Sequence, residues 1–351
     1  MNAASRSARL ASSKCNPGVT IPCDAAGIVA DIIHRVGAIT KMQVLAGGPV
    51  QRVGASIFAF ARLGGGAKPR KIIRDLGGLP ESLGSIGALE IRLATTKKDI
   101  RKAQRLRYKV FFDDRNASAD RKANLVRRDI CKFDRVCDHL LVIDHANRNR
   151  FGRPKPKVVG TYRLLRQDIA EQNFGFYTAQ EFEIGPLLER HSGKRFLELG
   201  RSCVLPEYRS KRTLELLWRG IWTYVKHHQI DVMIGCASFE GVNPLKLALP
   251  LSFLHRNALA SDVWRASPLQ KYFTPMNILD SSSIDTRRAI ASLPPLIKGY
   301  LRCGARVGDG AVVDHQFGTT DVLIVMPVAD IDPRYIDHFG GPDMTARARA
   351  A

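Results

Sequence analysis

The stretch between Phe196 and Trp218 constrains the fold of this chain more than any other part of it. It begins with the apolar run FLELGRSCV, continues through the proline-containing basic turn LPEYRSKR and ends in TLELLW. Apolar residues from Leu214 to Val225 then recur at the three- and four-residue spacing of an amphipathic helix. The sequence therefore predicts a buried strand, a tight turn and a helix in direct succession.

The predicted turn carries three cations, Arg209, Lys211 and Arg212, at the start of the helix. Backbone N–H groups at a helix N-terminus have no partner inside the helix, and the helix dipole adds positive potential there. Such a turn is typical of a site that holds an anionic group such as a phosphate. A solvated basic turn without a ligand is the alternative.

The charge of the whole chain also indicates an acidic partner. Its 351 residues include 54 Lys and Arg against 33 Asp and Glu, a formal net charge of +21. A bias of this size is typical of proteins that bind nucleic acid, an anionic membrane surface or an acidic carrier protein. The sequence contains neither zinc-finger spacing nor an aromatic RNA-binding motif, and charge alone does not choose among the three.

Cysteine usage and hydropathy bear on the compartment. Seven cysteines, an odd number without a CxxC pair, favour a reducing environment over a disulfide framework. No apolar run approaches the roughly 20 residues that span a bilayer. The N-terminus lacks the basic-then-apolar pattern of a signal peptide. We expect a cytoplasmic protein with no bound metal ion.

Composition divides the chain into three parts. Residues 1–87 are rich in Gly, Ala and Ser. They are expected to be either a poorly ordered extension or, through residues 50–63, a helix lying on an anionic membrane. Residues 88–340 carry clear strand and helix patterns and are expected to fold as one domain. Residues 341–351 are expected to be a flexible tail.

Within the predicted domain, strands and helices alternate in a mixed order. The runs before and after a Pro- and Gly-containing basic turn at 146–156 predict a hairpin. Residues 260–292 are expected to be irregular. The order predicts an α/β (α+β) fold with a mostly antiparallel central sheet flanked by helices, and with one strand–helix–strand crossover. Strands are predicted at 89–94, 139–144, 157–165, 196–204, 231–238, 308–314 and 321–328, and helices after Thr96 and Arg212, over 243–256 and from Pro294.

The element order and the turn RSKRTL at 209–214 resemble the GCN5-related N-acyltransferase fold. In that fold, a turn of the form Arg/Gln-x-x-Gly-x-Gly/Ala holds the pyrophosphate of acyl-CoA. Here Arg212 and Leu214 replace both glycines, and without glycine a backbone cannot approach a pyrophosphate as closely. The resemblance and the added cations together imply a singly bridged phosphate. The phosphopantetheine arm of acyl carrier protein has one, and carrier proteins are acidic.

Several segments in order also resemble one family, the bacterial ornithine-lipid N-acyltransferases. They are LRYKVFF at 106–112, FDRVCDHLLVID at 133–144, VVGTYRLL at 158–165, ELGRSCV at 198–204, GCASFEG at 235–241, LPPLIKGYLRCGARVGDGAVVD at 293–314 and TTDVLIVMPV at 319–328. The resemblance covers about residues 89–339. It implies transfer of a 3-hydroxyacyl group from acyl carrier protein to the α-amine of L-ornithine, which gives lyso-ornithine lipid. It further implies no bound cofactor, no nucleic-acid partner and peripheral contact with the inner membrane.

Two alternatives remain open. A more distant similarity to acyl-homoserine-lactone synthases implies autoinducer synthesis instead. Two departures weaken that similarity, because Gly200 stands where those synthases carry Ser, and Cys131 stands where an acidic residue is common. The other alternative is a basic membrane- or nucleic-acid-binding protein that uses the fold only as a scaffold. The positions shared with the synthases are Arg107, Phe111, Asp134, Arg163, Glu198 and Arg201.

The implied reaction, attack of an amine on a thioester, needs a carboxylate that takes a proton from the amine. Glu198 is the first candidate, because a glutamate inside an apolar strand is rarely buried without a purpose or a partner. A structural ion pair is the alternative. Strict alternation places Glu198 and Arg201 on opposite faces of the strand. We therefore expect a bulge at Gly200, which would bring both to one site and free a backbone N–H for the thioester oxyanion.

Charged residues on the neighbouring strands are the candidates for binding the substrate. Arg163 and Arg201 either bind the ornithine carboxylate in a fork or pair with Asp134 or Asp138. The two aspartates suit the ammonium groups of ornithine, with capping or ion pairing as the alternative. His139 is either structural or a proton shuttle. The resemblance adds Arg107 and Phe111 on the substrate side and Val204, Arg209, Lys211 and Arg212 on the donor side.

Overall fold

The computed structural model describes residues 76–114, 117 and 121–335. In these residues, eight strands form one sheet in the order β1-β2-β3-β4-β5-β6-β8-β7. Neighbouring strands are antiparallel except β5 and β6, which run parallel. The mixed, mostly antiparallel sheet is thus confirmed. The strands are β1 Gly84–Ile86, β2 Leu89–Leu93, β3 Asp138–Asp144, β4 Lys157–Arg166, β5 Phe196–Val204, β6 Val232–Glu240, β7 Arg306–Asp314 and β8 Thr319–Pro327.

Helices flank this sheet. A π-helical turn, Lys109–Asp113, directly continues α1. No described helix is both long and apolar enough to cross a membrane. The helices are α1 Lys97–Tyr108, α2 Arg121–Val126, α3 Gln167–Glu171, α4 Gly185–Arg190, α5 Lys211–His227, α6 Ala248–Asn257, α7 Thr286–Ser292 and α8 Pro295–Arg302.

Side-chain caps explain where the two main helices begin. The Thr96 hydroxyl accepts a hydrogen bond from the Asp99 N–H at 3.1 Å, which starts α1 as predicted. The Asp99 carboxylate pairs with Arg92 at 3.2 Å. Ser210 caps α5 by accepting from the Thr213 N–H. The basic turn therefore does lead into a helix N-terminus.

Helix α5 packs against β1 to β4 through its apolar face. Leu216, Ile221 and Trp222 are buried in this interface. A Cβ atom on Gly220 would lie only 2.8 Å from the Ile91 side chain, so the absence of a side chain lets helix and sheet approach closely. The amphipathic pattern read from the sequence thus defines which face of α5 meets the sheet.

Two boundaries differ from the expectations. The fold begins before residue 88, because β1 pairs with β2, and Leu79 and Leu83 are buried. A three-residue strand is too short to give a period-two pattern, which explains why the sequence missed β1. Residues 260–292 are irregular only in part, since their end forms α7. Residues 1–75, including the possible membrane helix at 50–63, and the predicted tail at 341–351 lie outside the described residues.

Candidate active site

The two parallel strands at the centre of the sheet separate after three residue pairs. In the described residues, β5 and β6 pair only from Phe196↔Val232 to Glu198↔Ile234. Beyond that point β5 stays with β4 and β6 stays with β8. We call the resulting gap the fork. Because successive N–H groups of a strand point to opposite edges, some of those in the unpaired part of β5 face the fork.

A β-bulge shapes the β5 side of the fork. Thr161 pairs with Cys203 and Arg163 pairs with Gly200, so two steps along β4 match three along β5. The extra residue lies just after Gly200, and Arg201 adopts a φ of 50°. The expected bulge is therefore present, but it begins one residue later than predicted. A Cβ atom on Gly200 would lie 3.6 Å from the Arg163 guanidinium, an ordinary contact distance, so space alone does not require glycine there.

The strand registers bring the functional side chains to one face of the sheet. His139 is paired with Arg163 on β4, and Glu198 is level with Ile234 on β6. Two residues beyond Ile234, Cys236 lies on the same face as Glu198. Ser238 of the same β6 face pairs with Asp321 of β8. One sheet face thus carries polar or charged side chains contributed by five strands.

Arg107 is the centre of a buried ionic network. Its side chain is fully buried and projects from α1. It donates to Asp129 Oδ2 at 2.7 Å, to the Asp129 carbonyl at 2.7 Å and to both Asp134 oxygens at 2.8 and 2.9 Å. Despite burial, the Arg107 charge and hydrogen bonds hold the pKa of Asp134 at about 2. The network therefore stays ionised at neutral pH and fixes α1 to the sheet.

His139 belongs to the same network. Its Nε2 atom lies 3.2 Å from the Asp134 carbonyl oxygen. Burial, with the neighbouring Arg107 charge, lowers the pKa of His139 to about 4. The imidazole is consequently neutral at pH 7, which fits the structural alternative better than a proton shuttle.

Arg163 and Arg201 face each other across an aromatic side chain. Their Cζ atoms lie 5.4 and 5.0 Å from the centroid of the Tyr177 ring, and Phe317 covers Arg201 from another side at 4.3 Å. In the described part of the chain, Arg163 Nη1 and Arg201 Nε are buried without a hydrogen-bond partner. Their carboxylate neighbours, Asp134 and Asp129, lie 3.8 and 3.7 Å away. These distances start from the same two nitrogen atoms, so each guanidinium group has an ion-pair neighbour but keeps one buried donor without a hydrogen bond.

Glu198 is buried but already well supplied with donors. Its carboxylate accepts from the Tyr177 N–H at 2.9 Å, from the Thr178 N–H at 2.6 Å and from the Thr178 hydroxyl. These bonds anchor the segment 177–182, which runs beneath the sheet face. The arrangement does not fit the expected general base, since three donors already occupy the carboxylate. It is also not the ion pair that was the alternative.

The segment 177–182 places a second glutamate, Glu181, at the site, and the sequence analysis did not identify it. Glu181 Oε2 accepts from the Cys236 thiol at 3.3 Å. Oxygen atoms of Glu181, Asp314 and Asp321 all lie within 4.8 Å of one another. Burial, followed by repulsion from Asp321, raises the pKa of Glu181 to about 7, and burial raises that of Asp321 to about 6. We call these three residues the acidic trio.

One signal could have found a member of the trio. Asp321 is a carboxylate at the start of the apolar strand DVLIVMPV, and the rule that singled out Glu198 applies to it equally. Glu181 and Asp314 lie in a loop and at a strand end, where no periodic pattern marks them. Asp129, which completes the Arg107 network, lies in the segment before β3 and gave no such signal either.

Two other expected substrate residues lie in different places. The Asp138 carboxylate accepts from the Tyr224 hydroxyl of α5 at 2.7 Å, so it turns away from the network. Its position next to His139 explains this, because neighbours in a strand point to opposite faces. Phe111 remains with the site, where its ring meets Phe317 edge-on at 5.8 Å. Asp138 therefore lies apart from the Arg107 network, and Phe111 lies beside the ring that covers Arg201.

The expected donor residues gather at the end of β5. The Arg209 guanidinium donates to the Val204 carbonyl at 3.1 Å. Lys211 lies 3.7 Å from Glu215, and Arg212 is exposed. Arg209 and Arg212 flank the N-terminus of α5, and both residues are exposed.

Cys236 does not fit a nucleophile. Burial and nearby carboxylates raise the pKa of its thiol well above the ordinary range. The thiol donates to Glu181 instead. It therefore remains a protonated, half-buried thiol in the wall of the site.

Comparison with known proteins shows which family this chain resembles. Residues 106–219 match the acetyltransferase (GNAT) domain family. L-ornithine N(alpha)-acyltransferase from Agrobacterium fabrum is 53% identical over 258 residues, which are 74% of this chain and 87% of that protein. The enzyme of the same name from Rhizobium meliloti is also 53% identical over 258 residues, 74% of this chain and 86% of its own.

A solved structure gives a weaker likeness. The AHL synthase LasI is 13% identical, with 73% of this chain and 96% of that chain covered, at a TM-score of 0.37. This score is too low to add to the sequence relatives. Because those relatives are more than half identical and are covered over most of their length, this chain belongs to the L-ornithine N(alpha)-acyltransferase family.

Proposed function

We propose that this protein transfers a 3-hydroxyacyl group from acyl carrier protein to the α-amine of L-ornithine and so makes lyso-ornithine lipid. The observation that carries the proposal is the pair of buried guanidinium groups, Arg163 and Arg201, with unused donors beside the fork. The chain matches its relatives over most of their length, and their names support the choice of L-ornithine as the acceptor.

The carboxylate of the amino acid is the natural partner of the two arginines. Planar guanidinium groups bind a carboxylate through paired N–H donors. Tyr177 and Phe317 shield Arg201 from water, which strengthens such a contact. The α-amine and the carboxylate are attached to the same carbon of the amino acid. An amino acid bound in this way would therefore hold its α-amine near Arg201, facing the fork.

The thioester of the donor fits the fork itself. Backbone N–H groups on the free edge of β5 are available to an oxyanion that develops on the thioester carbonyl. An apolar cavity at the apex of the fork is lined by Leu199, Met233, Gly235 and Tyr300, among others. Its volume of about 10 Å³ is that of a single water molecule, too small for an acyl chain, so its apolar walls would serve to exclude water from the thioester.

The donor phosphate and its carrier protein suit the basic end of β5. Arg209 and Arg212 flank the N-terminus of α5, where backbone N–H groups add to their field. The formal net charge of +21 favours an acidic carrier protein and peripheral contact with an anionic inner-membrane surface from the cytoplasmic side. The acyl group arrives on phosphopantetheine, so the reaction needs no resident cofactor.

Acyl transfer in vitro tests the proposal. Purified protein is mixed with 3-hydroxyacyl carrier protein, and labelled L-ornithine, L-lysine, glycine and S-adenosylmethionine are offered separately. We expect labelled lyso-lipid from L-ornithine. Transfer only to S-adenosylmethionine, or no transfer to any acceptor, would contradict the proposal.

Lysine substitutions test the arginines. Arg163→Lys and Arg201→Lys keep the positive charge but lose the paired N–H donors of the guanidinium group. Each should raise the KM for L-ornithine by at least about tenfold. Arg166→Lys is the matched control on β4, because its guanidinium pairs with Asp168 instead. Unchanged KM values in both test variants would remove these arginines from the acceptor site.

A further inference from the structure

We propose that the acidic trio, Glu181, Asp314 and Asp321, binds the ammonium groups of the amino-acid substrate, and that Glu181 takes the proton of the attacking amine. The inference rests on the proposed function and deepens it. It assigns the role of general base to Glu181 in place of Glu198. It also identifies the residues that would bind the positively charged groups of the acceptor.

The trio needs a positively charged partner. Its oxygens lie within 4.8 Å of one another, so three carboxylates share one small volume. Asp321 is only 7% exposed, and its Oδ1 atom is buried without a hydrogen-bond partner among the described residues. A buried acceptor without a donor is costly, and ligand N–H groups would supply the missing donor.

The trio lies at the fork and next to the arginines. Cys236, which donates to Glu181, is two residues beyond the last parallel pair of β5 and β6. Asp314 accepts from the Phe317 N–H at 3.0 Å, and the Phe317 ring covers Arg201. One short turn after β7 therefore connects the trio to the guanidinium that is proposed to hold the substrate carboxylate.

The charge pattern matches a diamino acid better than a metal ion. L-ornithine has one carboxylate and two ammonium groups, and the site offers unused guanidinium donors beside three carboxylates. Arg201 lies close enough to affect the pKa of both Glu181 and Asp321. Its charge would repel a divalent cation about twice as strongly as an ammonium group, because Coulomb energy scales with charge.

Glu181 is the member of the trio that is best suited to move a proton. The groups that face it are the Cys236 thiol, Tyr177, Arg201 and the carboxylates Asp314 and Asp321. Together with burial they hold the pKa of Glu181 at about 7. A base with a pKa near the working pH accepts a proton from an ammonium group more readily than an ordinary glutamate does.

The step balances in protons and bonds. The α-ammonium gives one proton to the Glu181 carboxylate and becomes a neutral amine. The amine nitrogen forms a bond to the thioester carbonyl carbon, and the carbon–sulfur bond breaks. The second proton of the attacking nitrogen leaves with the thiolate as the free thiol. Glu181 then returns its proton to the solvent.

The pH dependence of Glu181→Gln tests the base. In the unsubstituted enzyme, kcat/KM for L-ornithine should fall about tenfold per pH unit below pH 7, because Glu181 becomes protonated. Glu181→Gln should lower kcat/KM by at least about 100-fold. It should also remove this fall below pH 7, which is the acidic limb of the pH profile. Glu183→Gln changes an exposed glutamate two residues further along the chain. It is the matched control and should keep both the activity and the fall in kcat/KM below pH 7. A Glu181→Gln enzyme that keeps the limb, or keeps activity within threefold, would overturn the assignment.

A substrate analogue tests the ammonium site without relying on the rate of catalysis. L-Norvaline has the same carbon skeleton as L-ornithine but lacks the side-chain ammonium group. Calorimetry on the unsubstituted protein should show at least tenfold weaker binding of L-norvaline, and Asp321→Asn should largely abolish this preference. Equal binding of both amino acids would overturn the proposal. So would Mn²⁺ binding that Asp321→Asn abolishes while the preference for L-ornithine survives.

The outcomes separate this inference from the proposed function. Failure of the unsubstituted enzyme to acylate L-ornithine would remove the proposed function itself. Acylation that survives Glu181→Gln would leave the proposed function standing and remove only the role of Glu181.

Discussion

At the scale of single residues, Glu181 combines a half-buried position with a pKa of about 7, well above the ordinary value. A carboxyl group with a raised pKa in the folded state favours folding fully below its unfolded pKa, near 4.5, and loses that contribution as pH rises to about 7. Glu181→Gln should therefore raise Tm at pH 8 and leave it nearly unchanged at pH 4. Thermal unfolding at both pH values, with Glu183→Gln as the control, measures the difference. A lower Tm at pH 8 would contradict the assigned environment.

Arg107 illustrates the opposite case, a buried charge that the fold needs. Arg107→Ala would leave Asp129 and Asp134 buried without their cation, and breaking such a pair costs about 3–5 kcal/mol. Urea unfolding should show this loss, whereas Arg105→Ala on the exposed side of the same helix should change stability by about 0.5 kcal/mol or less. A similar small change in both variants would show that the network contributes little.

Residue identities could be predicted only where a pattern or the resemblance marked them. Arg107, Asp134, Arg163 and Arg201 were expected and do lie together. Asp138 was assigned to the site because its residue type was suitable. It is the first residue of β3, so the sequence did not show on which face of the sheet its side chain would lie. Glu181 reaches the trio through a loop path that no local sequence pattern encodes.

At the scale of elements, the segment 177–182 depends on Glu198. A glutamine there would place N–H donors against the donors of Tyr177 and Thr178, so we expect the segment to shift. In Glu198→Gln, kcat/KM should fall at every pH, and the apparent pKa of the limb should move below 7 as Glu181 becomes more hydrated. A general-base role for Glu198 predicts instead that the limb disappears, so one pH profile distinguishes the two roles.

The apex of the fork depends on a missing side chain. A Cβ atom on Gly235 would lie 2.3 Å from the Leu199 carbonyl oxygen, which belongs to the backbone and cannot easily move. Gly235→Ala should therefore destabilise the fold by at least about 1–3 kcal/mol and impair transfer. Gly299→Ala in α8 meets nothing within 4 Å and should be neutral or stabilising. Equal effects in denaturant unfolding would contradict the close approach at Gly235.

The bulge shows what sequence reasoning can and cannot predict for an element. The need for a register shift followed from having Glu198 and Arg201 at odd spacing in one strand. Its position did not follow, because glycine was taken as the residue that needs unusual φ. In the structure Arg201 has the positive φ, and a Cβ atom on Gly200 would make only an ordinary contact with Arg163 at 3.6 Å.

At the scale of the whole molecule, the order of helices and strands was predictable because the hydrophobic period changes from segment to segment. The order of strands within the sheet follows from hairpin and crossover rules. The fork was not predictable, since it reflects how the parallel pair β5–β6 separates after three residue pairs. Packing across the whole sheet decides such a separation.

The net charge should be visible in carrier-protein binding. Because the chain carries a formal charge of +21, its affinity for an acidic carrier protein should fall steeply as salt rises. Arg209→Glu combined with Arg212→Glu should raise the Kd at low salt by at least about tenfold and flatten the salt dependence. Arg287→Glu combined with Arg288→Glu, on α7, makes the same change in net charge and should have a smaller effect. Equal effects of the two pairs would show that overall charge, not the α5 turn, binds the carrier.

The measurement that tests the central claim most directly is the position of the new amide. Purified protein is given 3-hydroxyacyl carrier protein and L-ornithine labelled with ¹⁵N only at the α-nitrogen. We predict a product whose amide proton is coupled to ¹⁵N in the NMR spectrum. A product whose label remains in a free amine would mean transfer to the side chain and would contradict the placement of the substrate between the arginines and the acidic trio.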